Sequence, residues 1–234
     1  MTTDRFPLIS CICVTDNRIK QLQRAIACFE IQDYENTELV ISYPEKDTET
    51  KNFIKQINKS NQLRILTIER LESESLGEAR NQAILKANGL FVCTWDDDDW
   101  YHQSRLSFQY NSISTYKNNN HLQGSLLSRI ILYDSSLGKA YLSFLYTWEQ
   151  TLLCSKEIML RNKYSAKNKD EDYSVVKLLN KRRLLNHISD CPFLYIYIYH
   201  GGNSWGYSHF RHLVRKSEEL DDNTTEIIKT TLNI

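Results

Sequence analysis

The hydrophobic positions of this chain come in short unbroken runs, and between them apolar residues recur every three or four positions. Residues 8–14 (LISCICV), 38–43 (ELVISY), 63–68 (LRILTI) and 90–95 (LFVCTW) are such runs. Their length and continuity suit strands buried on both faces, as in a parallel sheet. After the first run, Leu22, Ala25, Ile26 and Phe29 share one helical face, with Asp16 or Asn17 placed to cap that helix. Residues 47–60 form a second helix with Phe53, Ile54 and Ile57 on one side. Residues 77–88 form a third, with Ala79, Ala83, Ile84 and Ala87 inward and Gly89 as its stop. The pattern is β-α-β-α-β-α-β, which predicts an α/β fold with a mainly parallel central sheet flanked by helices. Ligands of such sheets bind at the carboxyl ends of the strands, here just after Val14, Tyr43, Ile68 and Trp95.

The second half reads as mixed α+β. Residues 103–116 are helical; 125–133 and 139–145 are strand-like and joined by a hairpin turn at 134–138 (DSSLG). Residues 170–183 form a helix, 193–199 (FLYIYIY) a last strand, and 207–220 and 224–232 closing helices. The polar run 117–120 (KNNN) divides one domain, residues 1–234, into a nucleotide-type half (1–117) and a mixed α+β half (118–234).

Composition narrows the partners. The chain has 234 residues with 29 basic and 29 acidic side chains, and a zero net charge argues against a nucleic-acid partner. Its six cysteines include no C-x-x-C pair, and four lie inside apolar runs, as expected of reduced core residues in an intracellular protein. The first seven residues lack the basic start and apolar core of a secretion signal, and no run reaches the ~20 residues that span a bilayer. The expectation is a cytoplasmic protein, or one peripheral to the inner face of the membrane.

The strongest chemical signal is Trp95-Asp96-Asp97-Asp98-Asp99-Trp100, directly after the fourth strand. Two unit charges 4 Å apart repel by about 4 kcal/mol at an effective dielectric of ~20. Nothing nearby in the sequence neutralises the four; the next basic residue downstream is Arg105. Strand alternation would put Asp96 and Asp98 on one side, and oxygen donors of this kind suit Mg2+ or Mn2+ with positions left for phosphate oxygens. No G-x-G-x-x-G, Walker A or H-E-x-x-H motif is present, which disfavours dinucleotide oxidoreductases and P-loop NTPases.

Four segments in order carry a resemblance. Residues 6–18 (FPLISCICVTDNR), 77–84 with 87–89 (GEARNQAI and ANG), 95–106 (WDDDDWYHQSRL) and 169–173 (KDEDY) resemble the opening strand, the A-R-N helix, the D-x-D motif and the E-D motif of family 2 glycosyltransferases. The resemblance implies the GT-A fold and an inverting transfer from a nucleotide-sugar to a glycan or lipid-linked acceptor, in surface polysaccharide synthesis. It makes Asp98 the direct metal ligand, with Asp96 and His200 beside it, and gives Asp96 and Asp97 the ribose or the metal's water shell. It assigns Thr15, Asn17, Arg18 and Arg80 to the nucleotide-sugar, and Asp172 or Glu171 to the general base. Two positions depart from the family's pattern. Its aspartate pair after the second strand is replaced here by 42–45 (SYPE), leaving Glu45 or Asp47 to read the base, and Asp16 stands where Tyr is frequent. A catalytically silent sugar-binding relative and a nucleotidyltransferase are the alternatives. The basic residues Lys177, Lys181, Arg182 and Arg183 form a solvated face or meet an anionic acceptor or lipid headgroups.

Overall fold

The computed structural model describes residues 6–60, 63–114 and 121–233. The first half folds as its apolar pattern predicts: β1 (Ile9–Val14), α1 (Ile19–Glu30), β2 (Thr37–Pro44), α2 (Thr48–Ser60), β3 (Ile65–Arg70), α3 (Leu76–Lys86) and β4 (Phe91–Thr94). There follow β5 (Trp100–Tyr101), α4 (Arg105–Ser114), β6 (Gly124–Leu127), β7 (Ile131–Asp134), β8 (Lys139–Leu142), β9 (Leu153–Ser155), α5 (Lys156–Arg161) and α6 (Tyr173–Lys181). The chain closes with β10 (Leu185–Ile188), β11 (Tyr195–Tyr199), α7 (Tyr207–Val214), β12 (Glu218–Glu219) and α8 (Asp222–Leu232).

The described strands form two sheets. One runs β10-β6-β9-β4-β1-β2-β3, parallel except for β9; the other runs β12-β8-β7-β11-β5. In the larger sheet, alternate residues serve opposite faces, which is why its strands read as unbroken apolar runs. Ile9, Cys11, Cys13, Leu39 and Ile41 pack with Leu22 and Phe29 of α1 and Leu106 of α4. Ile12, Val40 and Val92 pack with Ala83 and Ile84 of α3 and Val175, Val176 and Leu179 of α6. Five of the six free cysteines are buried; Cys191 is half-buried. No helix among the described residues is long and apolar enough to cross a membrane.

After β3 the chain crosses back to place β4 on the other side of β1, so the strand order switches direction between β1 and β4. A crevice opens at the carboxyl ends of strands at such a switch. Thr15 and the aspartate run stand there.

Several sequence expectations need correction. The apolar run 125–133 is two strands, not one: β6 joins the larger sheet and β7 the smaller. The break falls at Ser128, whose N–H donates to the Ile188 carbonyl at 2.7 Å while the chain bends away. The helices set at 170–183 and 207–220 are shorter, and 193–199 opens with a 3-10 turn at Pro192–Leu194. The 3.6-residue pattern gave no start signal for α3, where Ser75 and Glu78 form a reciprocal capping box. Helix α1 is capped by neither Asp16 nor Asn17. Arg18 holds the cap position without a side-chain bond, and Asn17 takes a left-handed φ of 53° so that its N–H reaches Asp47 Oδ2 at 2.9 Å. The boundary at 117–120 lies outside the described residues.

Candidate active site

Residues 96–99 do not continue β4 as an alternating strand. They form a turn between β4 of the larger sheet and β5 of the smaller, and the fold brings each carboxylate a different partner. Asp97 is buried and accepts from Thr15 Oγ1 at 2.6 Å. Burial and then the charge of Asp98 push its carboxyl up to about 7, against the pull of Thr15 and Arg18. Asp98 Oδ2 accepts from Arg18 Nη1 at 3.0 Å and lies 3.2 Å from His200 Nε2, while its carbonyl accepts from Arg24 Nη2 at 2.6 Å. Asp96 Oδ1 is paired with Arg80 Nη2 at 2.5 Å. Asp99 is fully enclosed; it accepts from the Tyr195 hydroxyl and from the Ile198 N–H at 2.9 Å. Burial, then the charges of Asp98 and Asp96, hold its carboxyl well above the usual range.

The countercharge missing from the local sequence therefore comes from remote positions, Arg18 and Arg80. Arg105, the nearest basic residue downstream, goes elsewhere. Its buried guanidinium donates to the Thr94 carbonyl at 3.0 Å and lies 4.6–5.2 Å from the rings of Tyr101, Tyr195 and Trp95.

Arg80 is neither a surface residue nor confined to the aspartate turn. It projects from α3, is 5% exposed, and donates through Nη1 to Glu171 and through Nη2 to Asp96. Asp172 Oδ2 is 4.0 Å from Nη1. Desolvation opposes its charge, but the three carboxylates outweigh it and keep the guanidinium firmly protonated. Burial raises the carboxyls of both Glu171 and Asp172, with Arg80 pulling the other way. Glu171 is 4% exposed and committed to Arg80; the Asp172 side chain is 19% exposed and opens to the cleft.

Close packing of α3 on the segment before Glu171 sets this geometry. Gly77 N–H donates to the Lys167 carbonyl at 3.0 Å, and Asn81 exchanges two bonds with the Tyr164 backbone, at 2.9 and 3.0 Å. A Cβ on Gly77 would stand 1.8 Å from the Ser165 carbonyl oxygen. Just before Glu171, Asp170 takes a left-handed φ of 56°.

One cleft of about 280 Å3 collects Arg18, Arg80, Asp96–Asp99 and Asp170–Tyr173, together with Glu149 and Trp205. The loop 200–206 borders it. Gly201 has φ 83°, the Gly202 carbonyl accepts from Arg18 Nη2 at 2.8 Å, and Trp205 stacks on His209 with Lys169 Nζ 4.9 Å from its ring centre. Glu45 and Asp47 do not line the cleft. Glu45 is exposed, and both Asp47 oxygens are spent on backbone, one on Asn17 N–H and one on Thr50 N–H at 2.9 Å. Glu149, beside Trp148 in the cleft lining, has its carboxyl pushed up to about 7 by burial and by the charges of Asp172 and Asp170.

As a metal centre the donor set is sparse but coherent. Asp98 Oδ2 meets His200 Nε2 at 3.2 Å while also accepting from Arg18, and Asp96 is paired with Arg80. Among the described residues no three His, Cys, Asp or Glu side chains form a closed cage. One carboxylate and one imidazole fit a divalent ion that completes its shell with water and phosphate oxygens.

Known proteins agree with this architecture. The sequence profile of glycosyl transferase family 2 matches residues 10–128. An Escherichia coli K12 protein named as colanic acid biosynthesis glycosyl transferase WcaA is 35% identical over 101 residues, 43% of this chain and 36% of its own length. Staphylococcus aureus TarS 1–349 superposes with a TM-score of 0.63 at 18% identity, over 81% of this chain and 60% of that one. The mannosyltransferase PcManGT from Pyrobaculum calidifontis, solved with GDP-Man and Mn2+, superposes with a TM-score of 0.65 at 14% identity, over 89% and 61%. Glucosyl-3-phosphoglycerate synthase from Mycobacterium tuberculosis, solved with Mn2+ and UDP, gives 0.57 at 12% identity, over 89% and 76%. The chain thus spans about a third of the length of its curated relative and about 60% of the first two structures.

Proposed function

We propose, from the premise that this chain belongs to glycosyl transferase family 2, that it moves a sugar from a nucleoside-diphosphate sugar to a hydroxyl of a glycan or lipid-linked acceptor, with inversion. The observation that carries this reading is the bridge made by Arg80. One guanidinium joins Asp96 of the aspartate turn to Glu171 and stands 4.0 Å from Asp172, so two acidic sites face one cleft. Direct displacement needs that arrangement, with a base on the acceptor side and charge control on the leaving-group side.

Asp172 is the base. Its carboxylate opens to the cleft, whereas Glu171 is enclosed and held by Arg80. The acceptor hydroxyl gives its proton to Asp172 as its oxygen bonds to the anomeric carbon. The bond from that carbon to the diphosphate oxygen breaks on the opposite face, and its electron pair leaves with the diphosphate. One displacement inverts the configuration. Burial raises the Asp172 carboxyl toward working pH, where a base is most effective. Glu171 and Arg80 position it.

On the donor side, Thr15, Asn17 and Arg18 follow β1 at the crevice, and Thr15 fixes Asp97 for the ribose. Asp98 and His200 are the residues for Mn2+ or Mg2+, with Asp96 and Asp97 supporting the ion's water shell. When bound, that ion supplies positive charge against the growing charge of the diphosphate. The name of the Escherichia coli relative, a colanic acid biosynthesis glycosyl transferase, supports a setting in polysaccharide synthesis, and the reading places the chain on the cytoplasmic side, at most peripheral to the membrane.

The test is release of nucleoside diphosphate from a panel of nucleotide-sugars with Mn2+. Turnover of one donor by the native chain, lost in Asp98→Ala, is the expected result. No release from any donor refutes the reading, and a product with retained anomeric configuration by NMR refutes the single displacement.

A further inference from the structure

Glu149 lines the same cleft as the aspartate turn, on a segment the fold holds firmly. The Trp148 N–H donates to the Leu127 carbonyl at 3.4 Å, and the Thr151 hydroxyl donates to the Trp148 carbonyl at 2.6 Å while accepting from Leu127 N–H at 2.8 Å. This ties the short turn Glu149–Thr151 to β6. Glu149 faces the cleft in company with Asp170 and Asp172. Beside it Trp148 is 3% exposed and lines the same cleft, yet its indole N–H is buried with no hydrogen-bond partner. At the rim, the Tyr146 ring is 48% exposed and packs against Trp148 with ring centres 5.4 Å apart.

These features match the surface of a sugar. A pyranose offers an apolar C–H face, which an exposed aromatic ring covers, and a rim of hydroxyls, which a carboxylate can bind. They also select by charge. Glu149, Asp170, Glu171 and Asp172 line this side of the cleft together, so a further carboxylate would be repelled. Lys169, the nearby cation, is held over the Trp205 ring. We propose that Tyr146, Trp148 and Glu149 form the subsite that holds the acceptor sugar, and that this sugar carries no charge. The inference rests on the transferase reading above and adds the acceptor's chemical class.

The experiment uses the full chain with Mg2+ and UDP or GDP, titrated with p-nitrophenyl glycosides and followed by the indole N–H resonances, with Trp148 assigned from Trp148→Phe. The neutral probes are the β-glucoside, β-galactoside, α-mannoside and N-acetyl-β-glucosaminide; the charged ones are the β-glucuronide and β-galacturonide. At least one neutral glycoside is expected to shift the Trp148 indole resonance, with its uronide binding at least tenfold more weakly. Glu149→Gln and Tyr146→Ala are each expected to weaken the neutral probe about tenfold, and Glu149→Gln to narrow the gap to the uronide. Tyr146 is half-exposed, so its variant tests the subsite without disturbing the core. Binding by no neutral glycoside, equal binding of uronide and neutral sugar, or native affinity in both variants overturns the inference. Donor turnover is read separately. If the native chain releases nucleoside diphosphate but glycoside binding ignores Glu149 and Tyr146, this inference fails alone. If glycosides bind as expected and no donor is turned over, the transferase reading fails alone.

Discussion

Replacing Arg80 with Met keeps the buried stem of the side chain and removes the charge that three carboxylates share. Glu171 is 4% exposed and paired with that guanidinium, Asp96 is 2.5 Å from it and Asp172 4.0 Å. Removing one partner of a buried ion pair costs about 3–5 kcal/mol, because the other charge stays buried and unmatched. For a domain of this size, 1 kcal/mol moves Tm by about 2–4 °C. Arg80→Met should therefore melt roughly 6–20 °C lower at pH 8, by calorimetry or circular dichroism. The pH dependence identifies the cause. Without Arg80, the folded-state pKa values of Glu171 and Asp172, already raised by burial, rise further while their unfolded values do not. The penalty is then full above the folded values and disappears as pH falls toward the unfolded carboxylate range near 4. The deficit should shrink markedly at pH 5, and Glu171→Gln in the Arg80→Met background should recover part of it. An equal deficit at pH 5 and pH 8, with additive losses in the double variant, would refute the account.

Other expectations follow from single observations. Asp172→Asn should lower turnover about 10²- to 10⁴-fold with little change in donor affinity, the range for general base catalysis; Glu171→Gln should cut it less while lowering Tm, and equal turnover in Asp172→Asn and the native chain would reassign the base. Glu149 has its carboxyl raised from 4.5 to about 7, so its charge destabilises the fold as pH rises through that window. Glu149→Gln should then raise Tm at pH 8, by at most about 3 kcal/mol in stability, and leave it unchanged at pH 4; the same gain at both values would exclude the charge as its cause. Gly77→Ala places a Cβ 1.8 Å from the Ser165 carbonyl oxygen, and the shift it forces between α3 and the Glu171 segment should lower both stability and turnover; a native Tm would show that the segment yields freely.

The fold of the first half was legible because each of its parts is local. Runs such as LISCICV and ELVISY announce strands covered on both faces, and Leu22, Ala25, Ile26 and Phe29 place α1 against them. The smaller sheet was less legible. β5 has two residues and β9 three, too short for any periodicity, and the two strands within 125–133 read as one until Ser128 is seen to turn the chain. The aspartates and the Asp170–Asp172 helix start were visible as chemistry, but their partners were not. Arg80 meets Glu171 across 91 positions, and Tyr195 meets Asp99 across 96. The base-reading expectation for Asp47 met a competitor that composition cannot reveal, namely backbone N–H groups that claim both its oxygens.

The aspartate turn is one of the places where the chain passes from one sheet to the other. Its carboxylates are fastened to β1 through Thr15, to α3 through Arg80 and to β11 through Tyr195 and Ile198. It therefore works as a rivet through two plates. Any slip of one layer over the other must change the spacing of the carboxylates, and anything that fixes that spacing stiffens the joint. Rigidity of the scaffold and grip at its cleft are one mechanical property, and a substitution deep between the layers, at Tyr195 for example, is felt at the cleft without touching it.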